Sequence, residues 1–367
     1  MSHDHRSDIA LLLRGLHRPL ELDEARWEGL LRIARTSALH GRLAEANLEN
    51  RTITPAVRRH LLSCARIAAY HAQLVRAELF QLTPLVKDDF PVIVLKGGAY
   101  LLQHRRLAAG RFVSDVDLLV PAANLRTMEE RLHAAGWQAA RLTPYDERYY
   151  RDWSHETPPL RRPGHSLEVD LHHAITPVTA ALAFAPGSLF ARSEPIPGTP
   201  FRALAPEDQL LHACLHCFQD GDLALRMREV ADIDGLAREF SARPGFWETL
   251  LERAGELGLQ RPLWYGLHFA TAWLHCPVPD TVMAGLPGPG RHARRLMDRL
   301  VPLAMLPSDP DRPPPSKVIW ARWAMLSRYH WLRMPLRMLL PHLARKSLLR
   351  LRAQAAQKEG APENGAP

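Results

Sequence analysis

The chain has 367 residues, 46% of them hydrophobic and 23% charged, ordinary proportions for a globular protein with room for a sizeable core in one or two domains. It has no run of eighteen apolar residues, which excludes a spanning helix, and four cysteines (Cys64, Cys214, Cys217, Cys276) in so long a chain exclude a disulfide framework. The net charge of +8 is local: residues 317–358 hold ten Lys or Arg and no acid, which leaves 37 basic against 39 acidic residues elsewhere.

The opening residues, MSHDHRSDIALLLRGL, carry an apolar run too short for a signal-peptide core, so the expected location is cytoplasmic. Helical spacing then runs almost unbroken to residue 88. Leu11, Leu12 and Leu16 share one face, Trp27, Leu30, Leu31 and Ile33 another, and Thr54 before Pro55 marks a helix start. Residues 92–95 are a short aliphatic run closed by glycine, which predicts a buried strand. Gly97 and Gly98 would turn the backbone and present N–H groups at the start of a helix over 99–106, where anions are favoured. A second strand is predicted over 113–120. Residues two apart on a strand share a face, so Asp115 and Asp117 present two carboxylates together while Val116, Leu118 and Val120 pack behind them. Paired carboxylates beside a phosphate cradle need a cation between the two, and an oxygen-rich site suits Mg²⁺.

Further along, 124–135 has one apolar face (Leu125, Met128, Leu132), with Gly136 as its stop. Strands are expected over 137–142, 166–172 and 201–204, with a strand plus surface loop over 146–162. From Pro206 the chain reads as helical again, with Glu207 and Asp208 in a first turn and further helices over 223–240 and 247–273. The prolines of 277–315 have linker composition, and the final residues, ending KEGAPENGAP, read as disordered. The expected fold class is α+β: a small mixed sheet over 90–205 between helical regions at 1–89 and 206–316, followed by a basic amphipathic segment at 317–367.

The pattern resembles that of the polymerase-β-like nucleotidyltransferases, which place a glycine pair at a strand-to-helix turn and hydrophobic-Asp-hydrophobic-Asp on the next strand. Within that superfamily it is most similar to an uncharacterised bacterial nucleotidyltransferase family. The residues carrying the likeness are Leu95-Lys96-Gly97-Gly98-Ala99, the run from Arg111 to Val120, and Val169-Asp170-Leu171-His172. His216, Arg226 and Asp232 fit the same family's helical pattern. The gap from Gly98 to Asp115 is longer than the broad superfamily's but fits this family. The resemblance implies transfer of a nucleoside monophosphate, AMP from ATP, to a hydroxyl or phosphate acceptor with two Mg²⁺ ions. It implies that Asp115 and Asp117 hold both ions, and that Asp170 completes the one activating the acceptor and takes its proton. Lys96, Gly97, Gly98, Arg111 and Ser114 would contact the nucleotide, and Glu168, which shares Asp170's strand face by period two, would support the ligands from behind or be an alternate metal ligand.

Other readings of the residues lead elsewhere. A single Cys-x-x-Cys (Cys214, Cys217) beside His212 and His216 lacks the second pair a structural zinc site needs. There is no Walker loop, no Gly-x-Ser-x-Gly and no His-Glu-x-x-His. Two rivals remain: a non-catalytic nucleotide-binding adaptor that docks through its basic tail, and an Asp-x-Asp glycosyltransferase, whose fold would demand more parallel βαβ sequence. Trp320, Trp323, Tyr329 and Trp331 interleave with the tail's arginines; this reads first as a helical subdomain with a basic exposed face, and among docking surfaces it suits the inner face of an anionic membrane or an acidic partner protein better than nucleic acid.

Overall fold

The computed structural model describes residues 3–139, 154–176, 186–219, 223 and 226–333. Four helices come first: α1 (His3–Gly15), α2 (Glu24–Thr36), α3 (His40–Asn47) and α4 (Pro55–Leu82). Asp23 caps α2 by accepting from the Arg26 N–H at 2.8 Å, and α4 opens with Pro55 at its first position behind Thr54.

A mixed sheet follows. Its strands are β1 (Ile93–Val94), β2 (Asp115–Leu119), β3 (Gln138–Ala139), β4 (Leu160–Arg161), β5 (Glu168–His172), β6 (Glu194–Pro195) and β7 (Arg202–Ala203). Their order is β3-β4-β5-β2-β1-β7-β6, with β2–β5 and β1–β7 parallel and the other neighbours antiparallel. Each expected strand contains an observed one, although most are shorter. Sequence reasoning missed β6, a two-residue edge strand whose proline can be accommodated only where no ladder bond is required. Helices α5 (Lys96–Leu102), α6 (Leu125–Ala134) and α7 (Gly187–Arg192) flank the sheet. Gly136, at φ +96°, ends the α6 region as expected.

The β1–α5 joint differs from its prediction. The helix begins at Lys96, and it is Lys96, at φ +48°, that takes the left-handed turn rather than the glycines. Gly97 and Gly98 sit buried in the first turn, where they make room. A Cβ on Gly97 would lie 2.3 Å from Arg111 Nη1, and one on Gly98 would lie 2.8 Å from Val94 Cγ1.

The remaining described chain is helical: α8 (Pro206–Gln219), α9 (Met227–Phe240), α10 (Phe246–Glu256), α11 (Gln260–Leu274), α12 (Asp280–Gly285), α13 (Arg291–Met305) and α14 (Ser316–Arg333). The stretch 277–315 is therefore not simply a linker. Its prolines punctuate helices, Pro279 preceding α12 and Pro302 lying inside α13, while Val282, Met297, Val301 and Met305 are buried. The predicted end of the 137–142 strand, most of the 146–162 strand-and-loop stretch, the tail beyond Arg333 and its expected disorder lie outside the described residues.

Buried apolar residues form one cluster from Ile9 on α1 to Met325 on α14. Gly41 on α3 meets Gly110 so closely that a Cβ on Gly41 would lie 2.2 Å from the Gly110 carbonyl oxygen. Next to Gly41, Arg42 donates to the Leu107 carbonyl at 3.0 Å and pairs with Asp232 on α9. The N-terminal helices are thus tied to the sheet and to the helices beyond it. Among the described residues no helix is long and apolar enough to cross a membrane.

Candidate functional site

Strands β2 and β5 run parallel and in register, pairing Asp115 with Glu168, Asp117 with Asp170 and Leu119 with His172. Asp117 and Asp170 therefore stand side by side on adjacent strands, about 4.8 Å apart in the hydrogen-bonding direction. The side chains behind them, Val116, Leu118, Val169 and Leu171, are fully buried and fix the register by their pattern. In front lies a cavity of about 320 Å³ lined by Asp115, Asp117 and Asp170, with Glu156, Lys96 and Gly97 beside them. The opposite wall is helical: His216 from α8, and Arg226, Arg228, Glu229 and Asp232 from or next to α9.

The two walls differ in charge. On the strand wall Lys96 Nζ donates to Asp117 Oδ1 at 2.8 Å, and His172 Nε2 lies 3.0 Å from the same oxygen. Burial alone would raise the Asp117 carboxyl, but Lys96 and His172 overcome it and hold it well below its ordinary value. Asp115 is raised by burial and by the charge of Asp117. Asp170 is pushed up to about 7 by burial, then by Asp117 and Glu156, and its Oδ1 is buried with no hydrogen-bond partner.

On the helical wall the charges are matched. Arg111 chelates Asp232 from β2's approach, its Nε and Nη2 lying 3.0 and 2.8 Å from Asp232 Oδ2, and Arg42 pairs with the other oxygen. Burial opposes ionisation of Asp232, yet the two guanidiniums keep it below its ordinary value. Glu229 accepts from Arg226 Nη1 at 2.7 Å, and His216 Nδ1 is 3.1 Å from its other oxygen; together they hold that buried carboxyl low. Arg228 donates to the Phe112 carbonyl at 3.0 Å, and burial together with Arg111 lowers its pKa.

Of the residues predicted for the site, Asp115, Asp117, Asp170, Lys96, Gly97 and Arg111 come together at this cavity. Arg111 lines the cavity but is 5% exposed, its guanidinium bonded to Asp232. Gly98 faces Val94 and Leu79 rather than the cavity, and Ser114 is exposed before β2, outside the lining. Glu168 lies outside the lining and pairs with Arg161 on β4, whose Nε donates at 2.6 Å. Cys214 and Cys217 are buried core thiols, raised by burial, and Cys214 lies against Gly266. Sequence reasoning missed Glu156, Tyr100, Arg228 and Glu229. Glu156 lay in a stretch read as loop, and the others carried no motif beyond helical spacing.

Asp115 and Asp117 share one face of β2 and Asp170 stands beside Asp117 on β5, so all three carboxylates lie on the strand wall. That suits Mg²⁺, which takes one or two carboxylates and completes its shell with water and substrate phosphate. The unpartnered Asp170 oxygen and the excess of carboxylates over Lys96 fit a cation there.

A family model described as an uncharacterised nucleotidyltransferase matches residues 23–275. The crystal structure of JHP933 from Helicobacter pylori is similar at 14% identity and a TM-score of 0.32, over 77% of this chain and 97% of that one, a likeness too distant to bear on the reaction. No curated protein matches the chain.

Proposed function

The chain belongs to this uncharacterised nucleotidyltransferase family and is an enzyme of nucleotide transfer; from that premise we propose that it moves AMP from ATP to a hydroxyl or phosphate acceptor in the cavity between β2/β5 and α9. The observation that carries the proposal is the in-register pairing of Asp117 with Asp170, whose Oδ1 is buried and unpartnered. Bound Mg²⁺ would supply charge neutralisation and polarisation of the phosphoryl oxygens. Asp115 and Asp117 would hold it, and Asp170 would lie toward the acceptor. As the acceptor oxygen bonds to the α-phosphorus and the bond to pyrophosphate breaks, Asp170 takes the acceptor's proton; a carboxyl at about 7 is tuned for that exchange. Arg226 and Arg228 face the strand carboxylates across the cavity, on the side where triphosphate charge would lie. Incubation with α-labelled NTPs and a cell extract should label an acceptor, and Asp117→Asn should reduce that labelling about 10⁴-fold, the several kcal/mol expected of metal stabilisation, without unfolding the protein. Intact nucleotide binding with no labelled acceptor from any NTP would favour the adaptor reading.

A second reading concerns the tail. Val318, Ala321 and Met325 of α14 face the core, and Arg328 donates to the Phe218 carbonyl at 2.8 Å, while Trp320, Trp323 and Trp331 are 73%, 62% and 69% exposed. Exposed tryptophans on an acid-free basic segment fit the surface of an anionic membrane, worth about 1 kcal/mol per basic residue. Sedimentation with anionic vesicles at low salt, lost at high salt and with neutral vesicles, is the expected result; equal recovery in every supernatant refutes it.

A further inference from the structure

Beside the aspartate cavity lies a second set of donors that the nucleotidyl-transfer reading does not use. His155, Glu156 and His172 each bring one ligand atom, and these atoms all lie within 4.8 Å of one another. Backbone pairing holds them there. Glu156 and His172 are antiparallel bridge partners, flanked by Thr157 N–H to the Leu171 carbonyl at 2.8 Å and His173 N–H to the His155 carbonyl at 2.9 Å. Such a non-hydrogen-bonded pair brings its two side chains close together on one face. His155 sits in the bend just before the bridge, where strand alternation does not apply, and its Nε2 lies 3.9 Å from Glu156 Oε2.

The chemistry of His172 makes this more than proximity. Its Nε2 lies 3.0 Å from Asp117 Oδ1, within hydrogen-bond distance of that carboxylate. The other ring nitrogen, Nδ1, lies 3.6 Å from Glu156 Oε2. That separation is too long for a direct hydrogen bond and leaves room for an ion held between the two atoms. Ligand atoms of a tetrahedral Zn²⁺ site with bonds of about 2.0–2.1 Å stand roughly 3.4 Å apart, close to the spacing found. The Asp117 contact on the far nitrogen is the arrangement that orients metal-binding histidines: a carboxylate holding the N–H so that the other nitrogen is free to ligate.

We propose that His155 Nε2, Glu156 and His172 Nδ1 bind one Zn²⁺ ion, or a similar first-row divalent cation, at a site distinct from the aspartates. Two imidazoles and one carboxylate select Zn²⁺ over Mg²⁺, and three protein ligands leave a fourth position open. His155 and Glu156 are partly exposed, so the ion can reach the site from solvent. Binding would lock His172 in the tautomer that donates to Asp117, coupling the occupancy of this site to the orientation of that aspartate. The site does not depend on the nucleotidyl-transfer reading.

The test uses the full chain, titrated calorimetrically with Zn²⁺ and spectroscopically with Co²⁺. One equivalent should bind, with visible Co²⁺ bands of low-symmetry nitrogen and oxygen ligation and no thiolate charge-transfer band. His155→Ala and Glu156→Gln should each weaken Zn²⁺ at least tenfold, Asp115→Asn should leave it within about twofold, and millimolar Mg²⁺ should not displace it. Failure to bind Zn²⁺, equal binding in the His155 and Glu156 variants, a thiolate band, or loss of binding in Asp115→Asn with displacement by Mg²⁺ would each overturn the proposal. Since the bridge is held by main-chain bonds, both side-chain variants are expected to fold; unchanged circular dichroism checks this, and a fold failure in one leaves the other to decide.

Discussion

Asp232 and Asp170 face the same cavity from opposite walls, and their surroundings could hardly differ more. Asp232 is 4% exposed and meets two guanidiniums, Arg42 from the N-terminal helices and Arg111 from the approach to β2, which keep it ionised. Among the described residues Asp170 has no Lys or Arg against it and its Oδ1 has no hydrogen-bond partner; burial and neighbouring carboxylates push it up to about 7. Both are buried acids, but one is saturated and the other is not. The saturated one holds elements together. The unsaturated one is costly to the folded chain on its own, and such sites are retained where something else completes them.

The largest effect that would sharpen this contrast is on the saturated side. Asp232→Ala leaves two guanidiniums buried without their partner and should cost about 3–5 kcal/mol, read as a lower denaturation midpoint at unchanged slope. Asp170→Asn should show no comparable loss, and equal costs for the two would dissolve the distinction. Next comes Gly97→Ala, whose new Cβ would strike Arg111 Nη1 and so disturb Asp232's partner without altering any charge. It should destabilise by about 1–3 kcal/mol. Unchanged stability with weakened nucleotide binding would instead make the glycine a phosphate contact. The third contrast is in pH dependence. A carboxyl raised in the folded state contributes stability that is full below its unfolded value near 4 and lost as pH rises through about 7. Native stability relative to Asp170→Asn should therefore fall by up to about 1.4 kcal/mol per pH unit across that window. Mg²⁺ affinity should rise up to about tenfold per unit over the same window and level off above it, since the cation binds the carboxylate. A flat profile in the native protein would mean that Asp170 is ionised throughout.

Much of the strand wall was legible in the sequence because β-period alternation puts Asp115 and Asp117 on one face and buries Val116 and Leu118 behind them. Asp170 was found through the family pattern, and its register with Asp117 is a long-range fact that no local pattern states. The helical wall was half visible. His216, Arg226 and Asp232 stood in the resemblance, but that Asp232 is claimed by Arg111 and Arg42 depends on three segments meeting. Gly97 was read as freedom of the backbone when its importance is the space it leaves for Arg111, a partner fourteen positions away. The prolines of 277–315 misled because composition does not separate a proline that breaks a helix from one that precedes it.

The Arg42–Asp232 pair joins residues 190 positions apart. At about 5–20 residues per second of synthesis, Arg42 emerges roughly 10–40 s before the acid that neutralises it. During that interval α3 must keep its guanidinium hydrated, so the closure of Gly41 onto Gly110 can come early while the charge is locked in late. The nascent chain thus carries a built-in clock: its first helices can gather on one another, but they are fastened to the helical wall only once α9 has been made.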